Sequence, residues 1–194
     1  MSAPPQLDEA LLDAALDCFT QFGYERTRMA DIAAAAGLSR PALYLRVRNK
    51  EDLAVAVSRR VHEASLRAAR AAAAAPTAPA ERVRGVLRAK LELTLDLAAR
   101  SAHALELISA NRRIAAEISA DYEATLRRLL TGVLLDARLA PRRRAGDVAG
   151  MLIGAVVGLE QELDSPRRAR ALLDLLVDLT VAGLATTASD GIPP

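Results

Sequence analysis

A short basic stretch between residues 26 and 50 has the residue types needed to bind a polyanion. It contains one acid, Asp31, and six cations: Arg26, Arg28, Arg40, Arg46, Arg48 and Lys50. The first 53 residues contain eight acids in all, so the positive charge is concentrated on this stretch and not spread over the region. Because a duplex presents a dense row of phosphates, such a local basic face matters more than the net charge of +2.

Two short helices joined by a tight turn are predicted within this basic stretch. The first, residues 28–36, places apolar residues on one face at helical spacing: Met29, Ile32, Ala33 and Ala36. Gly37 ends it, since glycine readily takes the left-handed conformation that closes a helix. Ser39 is a good N-cap for the second helix, and Pro41 fits its first turn, where the missing N–H costs little.

The second helix has a buried side and an exposed side. Leu43 and Val47 are four residues apart and are predicted to face inward. The remaining side chains are left to face outward: Arg40, Tyr44, Leu45 and Arg46. Two such helices at this spacing, with a basic outer face, are typical of a helix-turn-helix whose second helix enters the major groove of DNA.

The stretch from Ala14 to Leu53 resembles the N-terminal DNA-binding domain of the TetR/AcrR family of transcriptional regulators. The matching residues are Ala15, Phe19, Gly23, Tyr24, Thr27, Ile32, Ala33, Ala36, Gly37, Leu38, Ser39, Leu43, Tyr44, Lys50, Glu51, Asp52 and Leu53. The chain departs from the family at Arg46-Val47, where His-Phe is usual, and at Arg28, where a second Ser or Thr is usual. The resemblance covers about the first quarter of the chain.

The resemblance implies which residues contact DNA. Arg40, Tyr44 and Arg46 would contact bases, and Leu45 and Ala42 are candidates for thymine methyl groups. Phosphates would be held by Thr27, Arg28, Tyr44 and Lys50, with Ser39 and Pro41 in the same interface. Thr27 is also expected to cap the first of the two helices. The family further implies a homodimer on a palindromic operator that a small-molecule effector releases, and so a repressor.

The 194 residues are enough for one or two domains, and their composition predicts an all-α fold of about nine helices. Hydrophobic residues make up 52% of the chain but aromatic residues only 3%, and no stretch alternates with period two. We expect a helix-turn-helix domain over 1–53 and a ligand-binding and dimerisation domain over 54–194. The N-terminus lacks the pattern of a signal peptide and no apolar run reaches the length of a membrane span, so we expect a cytoplasmic protein.

The second part reads as a series of helices separated by prolines. A helix that begins after Asn49 is predicted to reach about Ala75, where Pro76 and Pro79 interrupt it. Helices are then predicted over 81–99, 101–109 and 111–139, followed by a turn at Pro141. Arg142, Arg143 and Arg144 resemble a small nucleic-acid patch, but a solvated helix start is the simpler interpretation.

The last two helices are predicted to form a dimer interface. Four glycines recur every fourth residue between Gly146 and Gly158, at a cost of roughly 1 kcal/mol each against alanine. Close approach of another helix would explain them, and the last helix, from Pro166, is apolar on most faces. The predicted interface residues are Gly150, Gly154, Gly158, Leu172, Leu176 and Leu179. An ordinary core within one chain is the alternative.

Polar residues on the middle helices are the candidates for an effector pocket: His62, His103, Glu106, Asn111, Tyr122 and Glu160. A regulator of the same fold that binds no small molecule remains an alternative. An enzyme is disfavoured, because two histidines, one cysteine and no recognisable catalytic motif leave little chemistry, and we expect neither a metal nor a cofactor. The lone cysteine, Cys18, is either a core residue or a redox sensor, and a sensor would need a lowered pKa.

Overall fold

The computed structural model describes residues 7–100, 103, 113–162 and 165–189, and within these ranges the regular structure is entirely α-helical. The predicted all-α class is therefore confirmed, with eight helices in the described residues against about nine expected. They are α1 (Glu9–Phe22), α2 (Met29–Ala35), α3 (Arg40–Tyr44), α4 (Lys50–Ala74), α5 (Pro79–Arg100), α6 (Ala116–Asp136), α7 (Arg142–Leu159) and α8 (Pro166–Ser189).

Local side-chain chemistry determines where the first helices begin, as predicted. The carboxylate of Asp8 accepts from the N–H of Ala10 at 3.1 Å, and the Ser39 hydroxyl accepts from the N–H of Ala42 at 3.3 Å. Asn49 caps α4 by accepting from the N–H of Asp52 at 2.7 Å. Gly37 follows α2 with a φ of 65°, the left-handed conformation that favours glycine. These residues mark where α1, α3 and α4 begin and where α2 ends.

The chain forms two compact units. The first comprises the described residues up to His62 together with those between Asp96 and Ser119, and the second comprises Glu63–Leu95 and the described residues from Ala120 onward. The predicted domain boundary after residue 53 stays a prediction. The unit that contains α1 to α3 extends nine residues beyond it (62 against 53) and takes up a later segment of the chain.

The core of the first unit fixes the position of α3. Its fully buried side chains come from the first four helices and include Leu11, Phe19, Ile32, Leu43 and Leu53. Ala15, which is 0% exposed, lies in the same core. Because α3 is only five residues long, its stability comes from this packing and not from its intrinsic helix propensity.

The second unit has a larger aliphatic core. Its fully buried residues are Leu87, Leu91, Leu126, Leu130, Leu134, Leu152 and Leu173. One close approach between helices was not predicted from the sequence. A Cβ added at Gly85 would lie 2.5 Å from the Cβ of Ala72. Gly85 therefore lets α5 pack against the last turns of α4 more closely than any larger residue would allow.

The ends of the later helices differ from some predictions. α4 ends at Ala74, close to the predicted Ala75, but α5 begins at Pro79, two residues early (79 against 81), because proline is well placed in a first helical turn. The predicted helix over 111–139 was too long: the chain bends at Ala115, α6 runs from Ala116 to Asp136, and Arg138 has a φ of 54°. The predicted helix over 101–109 lies outside the described residues, His103 excepted.

The prolines and the arginine triplet behave as expected. Pro141 is the N-cap of α7, and Arg142, Arg143 and Arg144 form its exposed first turn, in agreement with a solvated helix start. α8 begins at Pro166, as predicted. A search of the described helices found none with the length and apolar character of a membrane span.

Candidate nucleic-acid interface and its surroundings

The second helix of the helix-turn-helix is held by its inner face. Leu43 is 0% exposed and Val47 is 6% exposed, as the spacing predicts. The N–H of Leu45 donates to the carbonyl of Pro41 at 3.0 Å, and that of Val47 donates to the carbonyl of Leu43 at 3.1 Å. Helical hydrogen bonding therefore continues past Tyr44, and residues 40 to 47 keep helical spacing.

The outer face of this helix is open to solvent. Arg40, Leu45 and Arg46 are exposed, and Tyr44 is 53% exposed although it is aromatic. Ser39 and Pro41 are exposed and Ala42 is half-buried. Every predicted contact residue of α3 and its caps is therefore at least partly accessible to a ligand.

The cations around α3 differ in how they are neutralised. Arg48 pairs with Asp52 at 2.8 Å, and Arg46 lies 3.6 Å from Asp8. Arg26 lies 3.1 Å from both ring nitrogens of His103. Arg28 and Arg40 have no ion-pair partner in the part of the chain that the structure describes. These two guanidinium groups are the cations best placed to meet an incoming phosphate.

Thr27 is placed differently from the prediction. It is 2% exposed, and its hydroxyl donates to the carbonyls of Gly23 at 2.7 Å and Cys18 at 3.1 Å. It does not cap α2, because Arg28 is the N-cap and its N–H donates to the carboxylate of Asp31 at 3.0 Å. The phosphate contact of Thr27 stays a prediction, and these bonds argue against it, since the hydroxyl proton is already shared by two carbonyls.

Lys50 is bound inside the protein. Its ammonium donates to the carbonyls of Tyr24 at 2.7 Å, Glu25 at 3.1 Å and Thr27 at 3.1 Å, and it lies 4.5 Å from the centre of the Tyr24 ring. An ammonium group has three donors, so all three are used. Its predicted phosphate contact is not tested, and a direct one would require Lys50 to give up at least one carbonyl.

Cys18 packs as a core residue. It is 4% exposed, and burial, followed by the nearby Asp31 and Asp17 carboxylates, raises the pKa of its thiol above the ordinary value. A reactive cysteine needs the opposite shift, because only the thiolate is nucleophilic. The core interpretation therefore fits the structure and the sensor interpretation does not.

The residues predicted to line an effector pocket do not share one compact unit. His62 and His103 belong to the first unit, where the ring Nδ1 of His62 lies 2.8 Å from the Ser58 carbonyl. Tyr122 and Glu160 belong to the second unit. Glu106 and Asn111 lie outside the described residues. Tyr122 and Glu160 share a unit, and the pocket as a whole stays a prediction.

A buried polar cluster surrounds those two residues. The hydroxyl of Tyr122 lies 2.7 Å from that of Ser65, which donates to the carbonyl of Ala89 at 2.8 Å. Burial raises the pKa of Tyr122 above its ordinary value. The ammonium of Lys90 is 3.0 Å from the Glu160 carboxylate and 3.9 Å from that of Glu123.

Lys90 belongs to this cluster but was not among the site residues predicted from the sequence. Its side chain is only 7% exposed. The rarity of lysine could have indicated it, because the chain contains just two lysines among 26 cations. Both are engaged within the protein, Lys50 by carbonyls and Lys90 by a carboxylate.

One face of α7 and α8 exposes apolar side chains and is called the α7–α8 face below. Met151 is 60% exposed, Val157 40%, Leu175 53% and Leu179 65%, while Leu172 and Leu176 are half-buried. Gly154 and Gly158 lie on the same face. A Cβ added at either of them would meet nothing within 4 Å, so nothing described within the chain accounts for these glycines.

Gly150 has a different environment from the other predicted interface glycines. A Cβ added there would lie 3.1 Å from the guanidinium of Arg127 on α6. Gly150 therefore has a close neighbour within the subunit, the end of a flexible arginine side chain. Its assignment to a dimer interface stays a prediction.

The acids of α8 are paired on the side away from the exposed leucines. Asp178 accepts from Arg84 at 2.5 Å, and Asp174 accepts from Arg88 at 2.8 Å. At the other end of the helix, Arg170 donates to Glu92 at 2.7 Å, and this bond holds the pKa of Glu92 below its ordinary value. These pairs between α5 and α8 set the rotation of α8 and so decide which leucines remain exposed.

Comparison with known proteins agrees with the helix-turn-helix. The family model described as bacterial regulatory proteins, tetR family, matches residues 11–57. The N-terminal domain of this chain belongs to that family. The HTH-type transcriptional regulator RutR of Escherichia coli K12 is 32% identical over 140 residues, which are 69% of this chain and 64% of RutR. The chain thus spans less than two thirds of that relative's length.

Other similarities are consistent with this assignment. The HTH-type transcriptional repressor ComR of Escherichia coli K12 is 47% identical over 49 residues, covering 25% of this chain and 23% of ComR. A transcriptional regulator from Rhodococcus sp. Rha1 superposes with a TM-score of 0.72 at 21% identity, covering 94% of this chain and 97% of that one. FadR from Bacillus subtilis, solved with stearoyl-CoA, has a TM-score of 0.64 at 20% identity, covering 90% and 98%. At these identities the structures show the fold alone.

Proposed function

We propose that the protein is a sequence-specific DNA-binding transcriptional repressor that uses α3 to read the major groove. The observation that carries the proposal is the exposed outer face of α3, where Arg40 and Tyr44 project from a helix whose inner face is locked by Leu43 and Val47. A rigidly held helix with exposed polar and cationic side chains suits base recognition. The family and the curated relatives support the same function.

Two groups of residues would contact different parts of the DNA. Arg40, Tyr44 and Arg46 would contact bases, whereas Arg28 and Ser39 would contact phosphates, with Tyr44 able to serve either. The Ser39 hydroxyl accepts from the N–H of Ala42 and keeps its own proton for a phosphate oxygen. The binding energy would therefore come mainly from the cations, and the sequence preference from the outer face of α3.

The test is selection from random duplex DNA at physiological salt, followed by affinity measurements with Tyr44→Ala. We expect an enriched palindrome and a loss of at least tenfold in affinity for it in the variant, since each good base contact contributes ~1–3 kcal/mol. Because Tyr44 is 53% exposed, the variant should fold normally. Unchanged affinity would reject the assignment of α3 as the reading helix.

We further propose that two copies associate through the α7–α8 face. Between Gly150 and Leu159, α7 contains no charged residue, and its exposed glycines and Met151 adjoin the exposed leucines of α8. An apolar face of this kind is characteristic of an interface. A twofold dimer would place two copies of α3 on successive major grooves of a palindrome.

Gly154→Leu tests this interface. A Cβ added at Gly154 meets nothing within 4 Å in the described chain, so we expect the leucine variant to fold but to hold two copies apart. Sedimentation should show a monomer. Gly132→Leu is the control, because Gly132 also has nothing within 4 Å but lies on α6, and it should remain a dimer. A Gly154→Leu protein that still sediments as a dimer would count against the face.

The effector is the least defined part of the proposal. The buried cluster of Tyr122, Ser65, Lys90 and Glu160 is the best candidate in the second unit, because polar groups grouped inside an aliphatic core can fix the orientation of a small molecule. A thermal-shift screen would test it: an effector should raise the melting temperature of the wild type but not of Tyr122→Phe. If no compound stabilises the protein, the alternative of a regulator without an effector is favoured. The cytoplasm is the compartment that this function implies.

A further inference from the structure

The core of the second unit contains a buried cation, Lys90 on α5. Among the described residues it is the only buried Lys, Arg, Asp or Glu, and its side chain is 7% exposed. Its neighbours on α5, Leu87 and Leu91, are fully buried in the aliphatic core. Lysine is almost never buried without a partner, and an ion pair inside a core adds little stability over apolar residues of similar size. Stability alone therefore does not account for Lys90.

The ammonium of Lys90 uses only one of its three donors within the described residues. It donates to the Glu160 carboxylate at 3.0 Å, and the Glu123 carboxylate, at 3.9 Å, lies beyond hydrogen-bonding distance. Lys50, in contrast, donates to three carbonyls. Because a buried donor without an acceptor costs free energy, the two remaining N–H groups of Lys90 favour a ligand that brings acceptor oxygens.

Glu160 is poorly placed as a permanent partner for this cation. It is the C-cap of α7, where the last helical carbonyls present partial negative charge and disfavour a carboxylate. Its side chain is 15% exposed, so it lies at the edge of the core, whereas Lys90 lies in the middle of α5. A change of rotamer can therefore move the Glu160 carboxylate into solvent, but the Lys90 ammonium stays buried and then needs another anion.

Charge and surroundings restrict the class of molecule that could replace Glu160. A neutral ligand would leave the buried ammonium without a counter-charge, and Lys90 would repel a cationic one. A carboxylate restores the ion pair, and its two oxygens can accept from more than one donor of Lys90. Tyr122 is the only aromatic residue of the second unit, and fully buried Leu126 and Val156 lie one helical turn from Tyr122 and Glu160. The body of the ligand would therefore meet aliphatic side chains.

We infer that the effector is a carboxylate with an aliphatic body that binds the ammonium of Lys90, and that Glu160 occupies this anion site when the effector is absent. The inference rests on the proposed function and names the effector class for the buried cluster. Glu160 is then an internal competitor, so an effector binds only if it interacts with Lys90 better than Glu160 does. Its displacement would also remove a contact between α5 and α7, the helix that contributes to the α7–α8 face.

The test is isothermal titration calorimetry on the full-length protein at neutral pH, without DNA. The probes are straight-chain carboxylates from butanoate to dodecanoate, each compared with the alcohol and the alkylammonium ion of the same length. We expect the best carboxylate to bind roughly tenfold or more tightly than its alcohol, because hydrogen bonds between ionised groups are the stronger ones. The alkylammonium ions should not bind.

Three substitutions assign the contact. Lys90→Met keeps a long apolar side chain and should remove the preference for carboxylate over alcohol. Glu160→Gln removes the competing charge and should tighten carboxylate binding roughly tenfold or more, because the ligand then supplies the only counter-charge within hydrogen-bonding distance of Lys90. Glu123→Gln is the matched control and should bind as the wild type does, since Glu123 is 54% exposed and makes no hydrogen bond to Lys90. If Glu160→Gln does not fold, the wild-type preference and Lys90→Met still decide.

The outcomes separate this inference from the function on which it rests. If carboxylates bind no better than alcohols, or not at all, or if their preference survives in Lys90→Met, the inference is overturned. Weaker carboxylate binding in Glu160→Gln overturns it too, and tight binding of alkylammonium ions would assign the site to an anion instead. The titration contains no DNA, so its failure leaves the repressor function standing. If the DNA selection enriches no sequence, the proposed function fails and the titration still reports on the site.

Discussion

Two surfaces of the molecule expose large apolar side chains, and the charges around them differ. The outer face of α3 exposes Leu45 together with Arg40 and Arg46, and Arg40 has no ion-pair partner in the described chain. The α7–α8 face exposes Met151, Leu175 and Leu179, and α7 contains no charged residue between Gly150 and Leu159. One surface combines apolar and cationic side chains, and the other combines apolar side chains with exposed glycines.

The difference assigns a different partner to each surface. Cations beside an apolar side chain suit a partner that brings its own negative charge, and a duplex does so. A face made mainly of apolar side chains and glycines suits a copy of itself, because a twofold interface brings each residue close to its own equivalent and tolerates no excess of charge of one sign. Apolar exposure alone would not have distinguished the two surfaces. The residues beside the exposed leucines do.

The strongest test of the difference between the two surfaces is to place the same negative charge on each. Leu179→Glu should raise the dimer dissociation constant at least 100-fold, because two buried carboxylates would meet near the twofold axis. Leu45→Glu should leave the dimer intact and reduce operator affinity at least as strongly through repulsion from phosphates. Sedimentation and DNA titration measure both effects in both variants. The assignment of the two surfaces is wrong if Leu45→Glu dissociates the dimer, or if Leu179→Glu remains a dimer.

A second substitution tests whether Lys50 stabilises the fold or contacts DNA. Three carbonyls converge on its ammonium, a geometry that the planar guanidinium of arginine does not reproduce. Lys50→Arg should therefore lower the free energy of unfolding by about 1–3 kcal/mol, the cost of leaving buried groups without partners. Chemical denaturation measures it. If Lys50 served mainly to bind phosphate, the arginine variant would keep both its stability and its operator affinity.

The smallest effect concerns the ion pairs that orient α8. Arg170 holds the pKa of Glu92 below its ordinary value of 4.5. The carboxylate therefore contributes stability above pH 4.5 that is lost as the pH falls through the lowered pKa. Glu92→Gln should be less stable than the wild type at pH 7, and the difference should shrink as the pH falls below 4.5. Denaturation at several pH values checks this, and a difference that grows in acid would contradict it.

Local features of the first unit could be predicted from the sequence because neighbouring residues cause them. Gly37, Ser39 and Asn49 act within three or four positions of themselves, so their caps were predicted correctly. The faces of α3 follow from helical spacing for the same reason. The match to the family over residues 11–57 covers this same local pattern.

Features that depend on distant residues could not be predicted. Lys50 binds carbonyls 23 to 26 positions earlier in the chain, and Lys90 pairs with a carboxylate 70 positions later. The close approach at Gly85 and the guanidinium over Gly150 depend on how whole helices pack. The prediction that Thr27 caps α2 was wrong for a related reason. A threonine before a helix usually caps it, but here the Thr27 hydroxyl donates to the carbonyl of Gly23 in the connector after α1.

The most direct test of the account is the number of chains bound to the selected duplex, measured by native mass spectrometry over a range of protein concentrations. The account predicts that chains bind in pairs, with no one-chain complex at any concentration, because the α7–α8 face joins two copies before α3 meets the groove. Leu179→Glu should then convert the pairs into weakly bound single chains. A tight complex with a single wild-type chain on the palindrome would contradict the assignment of the two surfaces.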